Sequence, residues 1–140
     1  MAEQRKGKQM TRLILALGFA TLMASTAAAA PVLKASPSLG LVNGQTVTVK
    51  GHAYTPGETV FLLECNATVT TTGEAACDTS NIATATTSAK GRLPATPFTV
   101  KTGTIGNGTC GTSKADKKCY IASANASGGD AALAAIVFVP

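Results

Sequence analysis

The sequence has no tryptophan, and only 4% of its 140 residues are aromatic. A core made from this chain must use mainly valine, isoleucine, leucine and alanine, each of which removes less apolar surface from water than a large ring does. Covalent cross-links therefore become more valuable to its stability.

Residues that could carry out catalysis are also scarce. The only histidine is His52, and the chain has no Gly-x-Ser-x-Gly, no His-Glu-x-x-His and no phosphate-binding glycine loop. His52 follows a predicted strand beside Gly51, and we interpret it as an exposed loop residue. The acidic residues are spread over loops and strand ends, without a pair whose spacing fixes acid–base chemistry. We expect no enzymatic activity and no required cofactor.

Basic charge is concentrated at the start of the chain. The formal net charge is +5, and residues 1–12 contribute about +3 of it, from four bases and one acid. The remaining lysines are scattered and form no basic patch with interleaved aromatic residues, so direct binding of nucleic acid is not predicted.

The N-terminal segment has the order of a secretory signal peptide. Its basic start is followed by an apolar stretch, residues 13–24, and then by small residues, 25–30. This pattern predicts that residues 1–28 are a signal peptide, with cleavage after Ala28 or Ala29.

An uncleaved membrane anchor is the alternative, because residues 13–30 are about long enough to span a bilayer. The alanine-rich tail favours cleavage, so we expect a secreted bacterial protein without stable membrane insertion. Residues 29–140 would then form the mature part, enough for one domain with a modest core.

All four cysteines lie in the predicted exported part, where oxidising conditions favour disulfides. Four cysteines allow three connectivities. Pairing Cys65 with Cys77 and Cys110 with Cys119 is favoured, because each bond then closes a short local loop. A metal site is disfavoured, since there is no Cys-x-x-Cys pair and the histidine lies elsewhere in the sequence.

Strand-like segments alternate with turn signals along the exported part. Val47 and Val49 alternate with polar residues after the turn signal Asn43-Gly44 and are predicted to point into the core. Residues 131–139 are apolar throughout and predict a final strand buried on both faces. The predicted strands are residues 31–37, 45–50, 58–65, 82–87, 94–101, 119–122 and 131–139.

These seven short strands, with no amphipathic segment of helical length, predict an all-β fold. The spacing of the turns favours a seven-stranded antiparallel sandwich of immunoglobulin-like architecture. A β-barrel is the alternative, and neither architecture specifies a function.

An ordered set of motifs resembles the neocarzinostatin family of secreted bacterial apoproteins. The set begins with NGQTVTVKG at 43–51 and PG at 56–57, before a strand that ends at the first cysteine. It continues with AKG at 89–91 and FTV at 98–100, and it spans residues 35–139. Its single-residue members are Cys65, Cys77, Cys110, Cys119, Asn125 and Gly128.

The resemblance implies a seven-stranded immunoglobulin-like sandwich with the same two local disulfides. It also implies a cleft, between the larger sheet and a smaller hairpin, that holds an enediyne chromophore non-covalently. The protein would be a monomeric carrier that protects this small-molecule ligand. DNA would be reached only indirectly, through the released chromophore.

The resemblance also assigns residues to the cleft, with the first disulfide at its floor. Ala67 occupies a position that holds tryptophan or another large residue in the family, Ala75 one that holds a large apolar residue, and Ile82 one that holds an aromatic residue. Tyr120 is the only aromatic residue among the assigned positions. The predicted ligand-binding residues are Cys65, Ala67, Ala75, Cys77, Ile82, Tyr120 and Ala124.

Two functions follow from these observations. The first is an antibiotic apoprotein that carries a chromophore. The second is a secreted immunoglobulin-like binding module on the same scaffold, which would bind another small ligand or a cell-envelope partner without a chromophore.

Overall fold

The computed structural model describes residues 29–140, so the predicted signal peptide lies outside the described residues. A short helix α1 (Val69–Thr72) and a 3-10 helix (Gly73–Ala76) accompany nine strands. Within residues 29–140 neither helix is long and apolar enough to cross a membrane. The strands are β1 (Val32–Ser36), β2 (Thr46–His52), β3 (Thr59–Cys65), β4 (Cys77–Thr86), β5 (Leu93–Thr99), β6 (Gly103–Ile105), β7 (Gly108–Cys110), β8 (Lys118–Ala124) and β9 (Ala132–Val137).

The strands form two main sheets and a small hairpin. One sheet has the order β1-β2-β5, the other has the order β4-β3-β8-β9, and β6 pairs with β7. Every strand pairing is antiparallel. The predicted all-β antiparallel fold is confirmed, with nine strands instead of seven. Each predicted segment overlaps a strand, and the two additional strands, β6 and β7, form the hairpin.

The core lies between the two sheets, because alternate side chains of each strand point toward the other sheet. Val47 and Val49 are both buried, as predicted. Tyr54 is buried as well, and its hydroxyl is 2.8 Å from the hydroxyl of Ser123. The core is completed mainly by aliphatic side chains from both sheets, among them Leu33, Val60, Leu62, Ile121 and Ile136, together with Leu41, Phe98 and Phe138.

The last strand differs from its prediction. In β9 the side chains of Ala134 and Ile136 are buried, whereas Leu133 is 40% exposed and Ala135 is also exposed. The prediction that this strand is buried on both faces is therefore wrong. β9 is the edge strand of an antiparallel sheet, and only one face of such a sheet packs on the core.

Both predicted disulfides are confirmed, and the described residues contain no free cysteine. The Cys65–Cys77 bond joins the end of β3 to the start of β4. It thereby closes residues 66–76 into a loop, which we call the arch. The Cys110–Cys119 bond joins β7 to β8 and ties the small hairpin to the four-stranded sheet.

Candidate ligand-binding cleft

The outer face of the four-stranded sheet, the face away from the core, carries mostly apolar side chains. Leu63 on β3 pairs with Ile82 on β4 and with Ala122 on β8, and Ala122 pairs with Leu133 on β9. Residues directly opposite each other project from the same face, so these four side chains form one apolar row across the sheet. Ile82 is 47% exposed. An apolar sheet face open to solvent indicates a binding surface.

A cavity of about 540 Å³ lies on this face. Its size falls within the range of small-molecule sites. The sheet forms the floor, the arch forms one wall, and the loop between β8 and β9 forms the other. The lining residues are Leu63, Ala122, Ser123, Ala124, Ala132 and Leu133 on the strands, Val69, Gly73, Glu74 and Cys77 in and beside the arch, and Ala126, Ser127, Gly128 and Ala131 in the loop.

The arch is fixed by the buried side chain of Asn66. Its amide nitrogen donates to the carbonyl oxygen of Ile105 and to Oδ1 of Asn107, both at 2.8 Å. Its Oδ1 accepts from the backbone N–H of Thr68 at 2.9 Å and from the Thr68 hydroxyl at 2.7 Å. All the polar atoms of this amide are therefore satisfied, as burial requires. The β6–β7 hairpin thus supports the arch and fixes the position of one cleft wall.

Gly106, at the tip of the hairpin, lies against the arch. A Cβ atom at this position would lie 2.6 Å from the carbonyl oxygen of Ala76, and the φ angle of Gly106 is +58°. We expect Gly106→Ala to lower the free energy of unfolding by more than about 2 kcal/mol, because backbone atoms cannot give way as a flexible side chain could.

Gly57→Ala is the matched control for this substitution. Gly57 has a φ of +69°, but a Cβ atom there would meet nothing within 4 Å. The control should cost only the roughly 1–2 kcal/mol of the left-handed backbone. Urea unfolding of both variants measures the difference, and equal losses would show that the hairpin does not pack tightly against the arch.

The opposite wall is held by short polar contacts. Oδ1 of Asn125 accepts from the backbone N–H of Ser127 at 3.0 Å and of Gly129 at 2.7 Å. The carboxylate of Asp130 accepts from the backbone N–H of Thr55 at 3.1 Å, which joins this loop to the connection before β3. The Asp130 carboxylate also forms a hydrogen bond with the side chain of Glu58. This bond, together with the partial burial of Glu58, raises the pKa of Glu58. Both walls of the cavity are therefore preformed.

Charge is sparse around the cavity. Glu74 carries the only ionisable side chain among the lining residues.

Glu64 projects from β3 on the inner side of the sheet and is fully buried. Its Oε1 accepts from the backbone N–H of Lys101 at 2.7 Å, and its Oε2 has no partner within the described part of the chain. Burial raises the pKa of Glu64 to about 7, although the bond from Lys101 opposes this shift.

The structure brings two of the seven predicted ligand-binding residues, Cys77 and Ala124, into the cavity lining. Cys65 is fully buried. Ile82 and Tyr120 project from the same outer face of the sheet, beyond the cavity. The other two predicted residues, Ala67 and Ala75, are exposed on the arch and are not among the lining residues.

Sequence reasoning missed most of the cavity floor, namely Leu63, Ala122 and Leu133. Each of them lies in an apolar run without alternation, and their grouping depends on the pairing of β3 with β8 and of β8 with β9. The resemblance also led us to expect the smaller hairpin as a cleft wall. In the structure the arch forms that wall, and the β6–β7 hairpin contacts the arch without lining the cavity.

Comparisons with known proteins agree with this architecture. The chain is 30% identical over 120 residues to the antitumor antibiotic C-1027 apoprotein of Streptomyces globisporus, a match that covers 86% of this chain and 81% of the relative. Actinoxanthin of the same organism is 29% identical over 120 residues, with the same coverage. The solved structure of macromomycin matches with a TM-score of 0.60 and 27% identity, covering 79% of this chain and 100% of that chain.

The chain also matches a family model over most of its length. Residues 33–138 match the model of the neocarzinostatin family. This range contains all nine strands except Val32, the first residue of β1. The motifs that carry the resemblance in the sequence lie almost entirely within the same range. The chain belongs to the neocarzinostatin family.

Proposed function

We propose that this protein is a secreted, monomeric carrier that binds an enediyne chromophore in the cleft and protects it. The observation that carries the proposal is the apolar cavity of about 540 Å³ on a solvent-facing sheet, between two walls that are already fixed. A preformed site loses little conformational freedom on binding, so more of the contact energy is available for retaining a ligand.

The floor of the cavity offers protection and no chemistry of its own. It is made of Leu63, Ala122, Ala124 and Leu133, which provide neither a nucleophile nor a proton donor. A ligand seated there would be shielded from water and from nucleophiles on one side. In this proposal DNA cleavage belongs to the released chromophore, and the protein serves as carrier.

The name of one relative supports this assignment. This relative is named as the apoprotein of an antitumor antibiotic. Secretion is supported by the basic, apolar and alanine-rich order of the first thirty residues.

A second candidate function is favoured by one observation. The cavity lining includes no aromatic ring, and the nearest rings on the same face, Phe61 and Tyr120, lie outside it. A ring buries on the order of 150–250 Å² of surface, so a floor of leucine and alanine offers a flat aromatic ligand less contact. The alternative is therefore a binding module of the same scaffold for an aliphatic small ligand or a cell-envelope partner.

Protein purified from the native culture tests the proposal. The carrier function predicts light absorption beyond the protein band and an extract that nicks plasmid DNA. A colourless extract without nicking, from a culture that produces the protein, would contradict it. A colourless bound compound released on denaturation would support the second candidate instead.

The position of the ligand is tested by Ala124→Trp, which fills the cavity from its floor. We expect this variant to lose most of the bound chromophore and to remain folded, because Ala124 projects from the outer face. Ala95→Trp is the matched control, since it adds the same ring at an exposed position on β5, in the other sheet. Equal chromophore content in the two variants would place the ligand outside the cavity.

A further inference from the structure

Basic side chains gather on the outer face of the three-stranded sheet, the sheet that does not carry the cleft. Lys34 on β1 and both Lys50 and His52 on β2 are exposed there. None of the strands β1, β2 and β5 contains an aspartate or a glutamate. The sheet therefore presents positive charge without a carboxylate of its own to neutralise it.

The register places two of these charges in direct opposition. Lys34 pairs with Lys50, and Val32 pairs with His52 at the adjacent position on the same face. Side chains of directly opposite residues begin about 4.5–5.5 Å apart, and like charges at such positions repel each other. His52 is the diagonal neighbour of Lys34, within reach of a shared ligand. An anion between these side chains would relieve the repulsion.

A depression of about 130 Å³ lies at this point, lined by Val32, Lys34, Lys50, Gly51 and His52. That volume corresponds to about four water molecules, which suits a single tetrahedral oxyanion better than an organic ligand. Gly51 has no side chain and contributes only backbone to this lining. A larger residue would clash there, because a Cβ atom would lie 2.6 Å from the Tyr54 ring and 2.7 Å from the carbonyl oxygen of Val32.

We propose that Lys34, Lys50 and His52 form a binding site for one phosphate group, either free or carried as an ester. Each lysine ammonium supplies three hydrogen-bond donors, and the imidazole supplies another. A phosphate can accept from all three side chains at once and neutralises the opposed lysine pair. This site is independent of the cleft and of the function proposed for it.

A backbone-amide NMR titration with inorganic phosphate, at constant ionic strength and neutral pH, tests the proposal on the mature domain. We expect saturable shifts confined to the signals of residues 32–34 and 50–52, with a dissociation constant in the millimolar range. Lys34→Gln and Lys50→Gln should each weaken binding roughly three- to fivefold, as expected for the loss of one exposed charge pair. Lys114→Gln, at an exposed loop lysine, is the matched control and should leave binding unchanged.

A parallel titration with a short DNA duplex identifies the source of the phosphate. If the duplex produces the same shifts, and the Lys34→Gln/Lys50→Gln double variant abolishes them, the site takes a phosphodiester. If only inorganic phosphate does so, the site takes free phosphate. Shifts that do not saturate with either probe, or that persist in a folded double variant, would overturn the proposal.

Discussion

The Glu64 carboxyl is expected to cost the wild-type protein about 3 kcal/mol of stability between acidic and mildly alkaline pH, and Glu64→Gln should abolish this loss. Burial disfavours the charged carboxylate and raises its pKa from 4.5 to about 7 in the folded state. The folded protein therefore binds this proton more tightly than the unfolded chain does. The resulting stability is fully present below about pH 4.5 and is lost as the pH rises through about 7.

Urea unfolding of the wild type and of Glu64→Gln at about pH 4 and about pH 8 measures this effect. Comparing the two proteins isolates Glu64 from the other titrating groups, which both proteins share. The amide oxygen of glutamine can still accept from the backbone N–H of Lys101. Glu74→Gln, at an exposed acid on the arch, is the control and should follow the wild type. Parallel pH profiles for wild type and Glu64→Gln would show that the buried carboxyl does not titrate as described.

The second large effect is expected on removal of the Cys65–Cys77 disulfide. The double variant Cys65→Ala/Cys77→Ala should lose roughly 3 kcal/mol, since the bond closes a loop with a sequence separation of 12. It should also lose bound ligand, because residues of the arch and Cys77 itself line the cavity. Chemical denaturation and the chromophore content of the purified protein measure the two losses separately.

Removal of the other disulfide provides the matched comparison. Cys110→Ala/Cys119→Ala opens a loop with a sequence separation of 9, so its cost in stability should be similar. Neither of these cysteines lines the cavity, and ligand retention should fall less. Equal loss of ligand in the two double variants would mean that the arch is not a wall of the binding site.

Local sequence patterns predicted most of the fold. The alternation around Val47 and Val49 identified core positions, because a strand with one buried face must alternate. The cysteine spacings favoured the two disulfides that the structure contains. The β6–β7 hairpin was missed, since strands of three residues rich in glycine show too little alternation to be distinguished from a loop.

The cleft could be predicted only in part, because its walls depend on contacts between residues far apart in the sequence. The Asn66 side chain donates a hydrogen bond to the carbonyl oxygen of Ile105, 39 positions away, and this contact fixes the position of the arch. The final strand shows the same limit of local patterns. Its uniformly apolar sequence predicted burial on both faces, although Leu133 contributes to the solvent-facing floor.

The central claim is that a preformed recess on the outer face of the four-stranded sheet holds a small ligand without a covalent bond to it. Native mass spectrometry of the protein secreted by its own culture tests this claim most directly. We predict a chain that starts at residue 29 or 30, is lighter by four hydrogens because of its two disulfides, and carries an adduct that denaturation removes. An identical mass before and after denaturation, in material from a producing culture, would contradict the claim.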